Sequence, residues 1–89
     1  MGSSIISCFL HVMKKTIYSK DQERLQLLLR ELRESKGLTQ RDVAKRLGVP
    51  QSFVSKYESG ERRLDLPELR QVCAALETSL SELIKRFEA

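Results

Sequence analysis

The stretch LTQRDVAKRLGVPQSFVSKYESG, residues 38–60, contains two short helical patterns separated by a glycine turn. Thr39 is placed to cap the first helix, with an aspartate three residues later as in a capping box. Gly48 then permits a sharp turn. Pro50 suits the entry to the next helix, where its missing N–H costs nothing, and Gly60 is suited to end it. The spacing predicts two short helices joined by a tight turn.

The second of these helices has one apolar and one polar side. At about 100° per residue, Phe53, Val54 and Tyr57 share one side. The other side carries Gln51, Ser52, Ser55, Lys56 and Ser59. A solvated face usually carries more glutamate and lysine, and serine is a weak helix former. One interpretation is a tolerated surface. The other is insertion into the major groove of B-DNA, where Gln, Ser and Lys can hydrogen-bond to base edges.

The pairing of the two helices favours the second interpretation. A short helix, a tight turn and another short helix form the helix-turn-helix layout, in which the first helix crosses the phosphate backbone and the second enters the groove. Thr39 and Gln40 lie at the start of the first helix, where N–H groups and the helix dipole suit a phosphate.

Three further helical patterns complete an all-α chain. Asp21 is suited to cap a helix whose leucines follow at i, i+3, i+4 and i+7 spacing, and Gly37 to end it. Asp65 begins a fourth helix, and Ser79 begins a fifth with a glutamate in capping-box position. The leucines of the first helix are Leu25, Leu28, Leu29 and Leu32. We therefore expect a compact five-helix bundle.

Composition places the chain among small globular domains and leaves a polyanionic partner as one explanation of its basic charge. Its 89 residues carry a formal charge of +4, with 40% hydrophobic and 31% charged residues. Residues 36–63 hold seven basic and three acidic side chains, whereas residues 64–89 hold three and five. A basic middle section favours nucleic acid, although a solvated helical surface accounts for it about equally well.

No pattern in the sequence indicates catalysis or metal binding. Cys8 and Cys73 are far apart and belong to no Cys/His cluster, and His11 is the single histidine. We expect no enzyme activity, no metal, no cofactor, no small-molecule ligand and no membrane partner. A reducing cytoplasm is the simplest location.

Residues 1–20 differ in composition from residues 21–89, which we assign as the DNA-binding domain. Their apolar run is too short to span a bilayer, and positive charges follow it, unlike in a signal peptide. Three interpretations stay open. The segment is an ordered arm on the body or on a partner subunit, a disordered tail, or an extension upstream of a natural start at Met13.

The stretch GLTQRDVAKRLGVPQSFVSKYESGERRLDLPELRQVCAAL resembles the helix-turn-helix family of lambdoid phage repressors and Cro, the xenobiotic-response-element family. The matching features are G-L-T-Q, V-A-x-x-L-G-V, Q-S-x-V-S-x-Y-E-x-G and the later L-x-x-V-x-x-A-L. The resemblance covers about residues 21–89 and implies a lambda-repressor-like DNA-binding domain. Pro50 departs from the family pattern, which usually has a capping serine or threonine there.

The resemblance implies a role for each matching residue. Gln40 would grip a phosphate and brace the first residue of the recognition helix. Arg33 and Glu58 would form a partly buried structural pair. The base-contacting residues would be Gln51, Ser52, Ser55 and Lys56, and the phosphate-contacting residues Thr39, Gln40, Arg41, Ser59, Arg62 and Arg63. The fifth helix resembles a dimer seam, made of Leu80, Leu83, Ile84 and Phe87.

The family further implies a homodimer on double-stranded DNA with a two-fold symmetric operator. The leading prediction is a transcriptional regulator, either a repressor or an autoregulator. An antitoxin or a restriction–modification controller of the same fold is the alternative within this class. A protein-interaction module that binds no DNA is the alternative outside it, and an acidic or apolar recognition face would favour it.

Overall fold

The structure, a computed structural model, describes residues 20–89, and this part of the chain contains five helices and no strand. The helices are α1 (Lys20–Ser35), α2 (Gln40–Leu47), α3 (Gln51–Ser59), α4 (Leu66–Ala75) and α5 (Leu80–Glu88). The predicted all-α five-helix bundle is confirmed. The interpretations of residues 1–20 concern residues that, apart from Lys20, lie outside the described part.

The helix ends follow local capping chemistry with two differences from expectation. Thr39 and Asp42 form a full capping box at α2. Helix α1 already includes Lys20, so Asp21 lies in its first turn and not at its cap. At α5 the Ser79 hydroxyl accepts from the Glu82 N–H at 3.1 Å. The reciprocal bond of the predicted capping box, from the Ser79 N–H to the Glu82 carboxylate, is not formed.

Helix α3 begins directly after Pro50. The proline occupies the N-cap position with extended backbone and makes no side-chain cap, and Gln51 is the first helical residue. Gly48 and Gly60 both have positive φ, at 70° and 90°. These conformations favour glycine, so the turns on either side of α3 are set by residue type.

The core lies where the apolar faces of all five helices meet. Its buried residues are Leu29, Leu32, Val43, Ala44, Val54, Tyr57, Val72, Cys73, Ala75, Leu76 and Leu83. Helix α3 packs on α2 and on α1, α2 also packs on α4, and α5 packs on α1 and α4. This arrangement holds α3 by its inner side and leaves its outer side at the surface.

Candidate nucleic-acid interface

The outer face of α3 consists of Gln51, Ser52, Ser55 and Lys56. Ser55 is partly exposed and the other three are exposed. None of the four side chains hydrogen-bonds or forms an ion pair with another residue of the 20–89 segment. The structure thus brings the four predicted base-contacting residues together on one accessible surface, where their polar groups can bind a ligand.

The inner face of α3 is rigidly packed. Val54 and Tyr57 are buried, and the rings of Phe53 and Tyr57 meet edge to face with centroids 5.9 Å apart. Burial raises the pKa of Tyr57 well above its ordinary value, so its hydroxyl stays neutral. A firmly anchored inner face limits rotation of the outer face relative to the domain.

An ion pair between α1 and α3 adds to this anchoring. Arg33 Nε donates to Glu58 Oε2 at 2.7 Å, and Arg33 Nη2 donates to Oε1 at 3.1 Å. The two side chains are only 10% and 4% exposed. Arg33 Nη1 also donates to the Leu38 carbonyl at 2.9 Å, so one guanidinium joins α1, the following turn and α3. The predicted structural pair is present.

Gln40 contacts Glu58, which the resemblance did not imply. Its Nε2 donates to Glu58 Oε1 at 3.0 Å, so the residue that Gln40 braces is Glu58 near the end of α3 and not Gln51 at its start. Glu58 is an ionised acceptor that Arg33 already holds in position, so it is a stronger hydrogen-bond partner for Gln40 than the neutral amide of Gln51. Gln40 still lines a shallow groove with Arg41 and Gln51.

At the start of α2, the capping box already uses some of the backbone N–H groups that could bind a phosphate. The Thr39 hydroxyl accepts from the Asp42 N–H at 3.1 Å, and Asp42 Oδ2 accepts from the Thr39 N–H at 2.9 Å. These backbone and side-chain bonds from Thr39 lower the pKa of Asp42. Because the hydroxyl of Thr39 caps the helix, the exposed Arg41 is the clearer candidate for a phosphate contact at this end.

The end of α3 and the loop that follows it hold three predicted phosphate-contacting residues in different environments. Ser59 Oγ donates to the Lys56 carbonyl at 3.1 Å and to Glu61 Oε2 at 3.2 Å. Arg62 forms an ion pair with Glu68, and its guanidinium carbon lies 4.6 Å from the centre of the Phe53 ring. Arg63 is exposed. The contacts of Arg62 were not visible in the sequence, since its partners lie on two different helices and no local spacing rule pairs them with a loop residue.

The predicted seam on α5 needs one correction. Leu83 is 1% exposed and belongs to the core of the protomer, so it has no surface to offer a partner. Ile84 is 48% exposed, and Leu80 and Phe87 are partly buried. The apolar surface of α5 is therefore narrower than predicted and centres on Ile84.

Sequence reasoning missed two contacts that fix the framework. Arg46 on α2 donates to the Ala75 carbonyl at 2.7 Å and to Glu77 Oε2 at 3.0 Å, which ties α2 to the end of α4. Asp65 and Glu68 form a full capping box at α4. The capping box could have been predicted from the D-x-x-E spacing, whereas the Arg46 contacts depend on how α2 packs against α4.

Residues 20–89 contain neither a metal-binding group of side chains nor a membrane-spanning helix. Between Lys20 and Ala89 no three His, Cys, Asp or Glu side chains are grouped so that they could hold a metal ion. Over the described helices, none has the length and apolar character needed to cross a membrane.

Comparison with known proteins identifies a family and shows similarity to solved structures. A model of the Helix-turn-helix family matches residues 29–83. The XRE-family like protein from Pseudomonas syringae pv. tomato str. DC3000 is 43% identical, with a TM-score of 0.78 over 86% of this chain and 94% of that chain. The restriction–modification controller protein C.Esp1396I, as a tetramer in complex with its natural 35 base-pair operator, is 23% identical, with a TM-score of 0.73 over 79% and 92%. The latter likeness shows the fold alone.

A curated relative matches over a short piece of its length. The glutamine–fructose-6-phosphate aminotransferase (isomerizing) of Methanocaldococcus jannaschii is 32% identical over 68 residues, which is 75% of this chain and 6% of that enzyme. The chain thus spans about 6% of the relative it matches.

Proposed function

Because the chain belongs to the Cro-like, XRE-type helix-turn-helix family, we propose that it is a transcription regulator that reads a specific sequence in double-stranded DNA. The outer face of α3 carries this proposal, since its four polar side chains have no hydrogen-bond or ion-pair partner within residues 20–89. Such a face suits the base edges of a major groove. An acidic or apolar face would have favoured a protein partner.

The proposed mechanism divides the surface into two roles. Gln51, Ser52, Ser55 and Lys56 contact base edges and supply discrimination. Arg41, Arg63, Gln40, Thr39 and Ser59 contact phosphates, which provides affinity that falls as salt rises. We leave Arg62 out of this set, because its guanidinium connects α3 to α4 through Phe53 and Glu68.

The proposed assembly is a homodimer, acting as a repressor or autoregulator. Ile84 with Leu80 and Phe87 on α5 supplies the apolar surface for a two-fold contact. Two copies would then present two α3 helices to half-sites about one helical turn apart on a two-fold symmetric operator. Repression would follow where such an operator overlaps a promoter.

Selection from random duplex DNA by the purified protein tests the proposal. We expect a two-fold symmetric sequence to be enriched, and its binding to weaken steeply with salt. Enrichment of no sequence, with only weak salt-sensitive binding, would reject the sequence-reading function.

Lys56→Ala tests whether the outer face reads bases. A good base contact is worth about 1–3 kcal/mol, so operator binding should weaken at least about fivefold, and binding to unrelated DNA should change much less. Lys85→Ala removes the same charge from α5 and serves as the matched control. Equal losses on all DNA sequences after Lys56→Ala would contradict base reading.

A further inference from the structure

We propose that Arg62 is a positioning residue that fixes the end of the recognition helix α3 against α4, and that it is not a phosphate ligand. This inference rests on the proposed DNA-binding function and assigns Arg62 a role different from the one implied by resemblance. Four sets of contacts carry it: those of the guanidinium, those of the Arg62 backbone, those of Glu68, and the packing of Gln26 against Gly60.

The guanidinium of Arg62 spans two helices. Its central carbon lies 4.6 Å from the centre of the Phe53 ring on α3, a cation–π distance, and its Nη2 pairs with Glu68 Oε2 on α4. The side chain is 42% exposed, so the contact sits at the surface but is shielded on the ring side. The arginine thus connects the apolar flank of α3 to the first turn of α4.

The backbone of Arg62 closes the end of α3. Its N–H donates to the Lys56 carbonyl at 3.2 Å, and Ser59 Oγ donates to the same carbonyl at 3.1 Å. Lys56 is one of the proposed base-reading residues. A shift of Arg62 would therefore loosen the turn of α3 from which Lys56 projects.

Glu68 is held in place independently of Arg62. Its Oε1 accepts from the Asp65 N–H at 3.0 Å, and its own N–H donates to Asp65 Oδ1 at 2.8 Å. A carboxylate fixed by this capping box keeps Arg62 oriented toward α4. The Nη2 group of Arg62 is thus committed to Glu68, and a phosphate could use that group only if the ion pair broke.

The opposite side of the same turn is packed by α1. A Cβ built on Gly60 would lie 2.5 Å from Gln26 Nε2, so the Gln26 side chain lies against the glycine. Gly60 also has φ of 90°. The end of α3 is thus held from α1 by Gln26 and from α4 by Arg62, and loss of the Arg62 side should redirect the helix end.

Two substitutions separate positioning from phosphate contact. Arg62→Lys keeps the positive charge but loses the planar group that stacks on Phe53 and pairs with Glu68. Glu68→Gln removes the partner's charge and keeps an oxygen acceptor for the Asp65 N–H, as in a Ser/Thr-x-x-Gln capping box. Binding of both variants to the selected operator and to unrelated DNA is measured over a range of salt.

A positioning role predicts that both variants bind the operator about three- to tenfold more weakly than wild type, as expected for loss of a partly exposed ion pair and cation–π contact. Their salt slopes should equal that of wild type. A phosphate ligand predicts otherwise: near-normal binding by Arg62→Lys, normal or tighter binding by Glu68→Gln, and a slope lower by about one per protomer in Arg62→Ala. Those results would overturn the proposal.

Amide hydrogen exchange of the free protein supplies a second, DNA-free readout. Faster exchange of the Arg62 amide in Arg62→Lys and Glu68→Gln, with α1 and α2 unchanged, supports positioning. Wild-type exchange in both variants overturns it. If wild type selects no DNA sequence, the proposed function fails, and the exchange result alone decides the role of Arg62.

Discussion

Glu58, near the end of α3, accepts three hydrogen bonds from two other helices. Two come from Arg33 on α1 and one from Gln40 on α2. Low exposure keeps these bonds out of water, so their loss would leave a buried charge without compensation. The orientation of α3 thus depends on Arg33 and Gln40, which lie on other helices and are not part of its outer face.

Arg33→Met should lower the free energy of unfolding by about 3–5 kcal/mol, because it strands the Glu58 carboxylate while keeping much of the side-chain stem. Arg30→Met is the matched control: the Arg30–Glu34 pair, at 3.4 Å, is more than half exposed, and its loss should cost less than about 1 kcal/mol. Denaturant unfolding of both variants measures the difference. Similar losses would contradict a structural role for Arg33.

At the scale of elements, most boundaries were predictable because capping is local. Thr39, Gly37, Gly48, Gly60 and Asp65 act within a few residues of themselves. Side chains that reach across the fold were not predictable from spacing. Neither the Arg46 bond to the Ala75 carbonyl nor the stacking of Arg62 on Phe53 leaves a periodic pattern in the sequence.

The candidate site divides in the same way. The outer face of α3 followed from helical periodicity, because four residues of one short helix determine it. The partner of Gln40 and the burial of Leu83 depend on how separate helices pack, and both differed from expectation. Family resemblance supplied the Arg33–Glu58 pair, which spacing alone would not have indicated.

Thr39→Ala should lower the free energy of unfolding by about 1 kcal/mol, because the Asp42 N–H loses its side-chain acceptor. Thr39→Ser keeps the hydroxyl and should remain within a few tenths of wild type. Thermal melting of the two variants makes the comparison. Equal melting temperatures for both would show that the cap contributes nothing.

The capping boxes of α2 and α4 also predict an acid dependence. Hydrogen bonds from Thr39 lower the pKa of Asp42, and hydrogen bonds from Asp65 and then Arg62 lower the pKa of Glu68. Groups with lowered folded pKa stabilise above their unfolded values, 3.8 and 4.5, and lose that stabilisation as pH falls through the folded values.

Unfolding free energy should therefore be level from neutral pH to about pH 5 and fall below it. Denaturant titrations at a series of pH values measure this profile. The variant Asp42→Asn with Glu68→Gln should show a shallower acid fall than wild type. An identical profile would mean that other carboxylates dominate.

At the scale of the molecule, the proposed dimer brings two copies of α3 to one face. Ile84→Glu places a charge in the centre of the α5 surface, where Ile84 is 48% exposed. We expect a monomer and at least about tenfold weaker operator binding, since one half-site alone contributes less affinity. Sedimentation and DNA titration report the two effects.

Leu66→Glu provides the control for this change. Leu66 is 62% exposed at the start of α4 and is not one of the α5 residues, so the substitution adds the same charge to another exposed apolar position. The oligomeric state should be that of wild type. A dimer that persists in Ile84→Glu would exclude the α5 surface as the two-fold contact.

The outer face of α3 makes no hydrogen bond or ion pair with the remainder of residues 20–89, whereas the inner face forms part of the core. The core contacts and the proposed base contacts therefore lie on opposite sides of one nine-residue helix. Substitutions on the outer side leave the buried contacts of α3 in place, so they change stability mainly through helix propensity and surface charge. Under the proposed mechanism, another set of four outer residues could read a different operator on the same core.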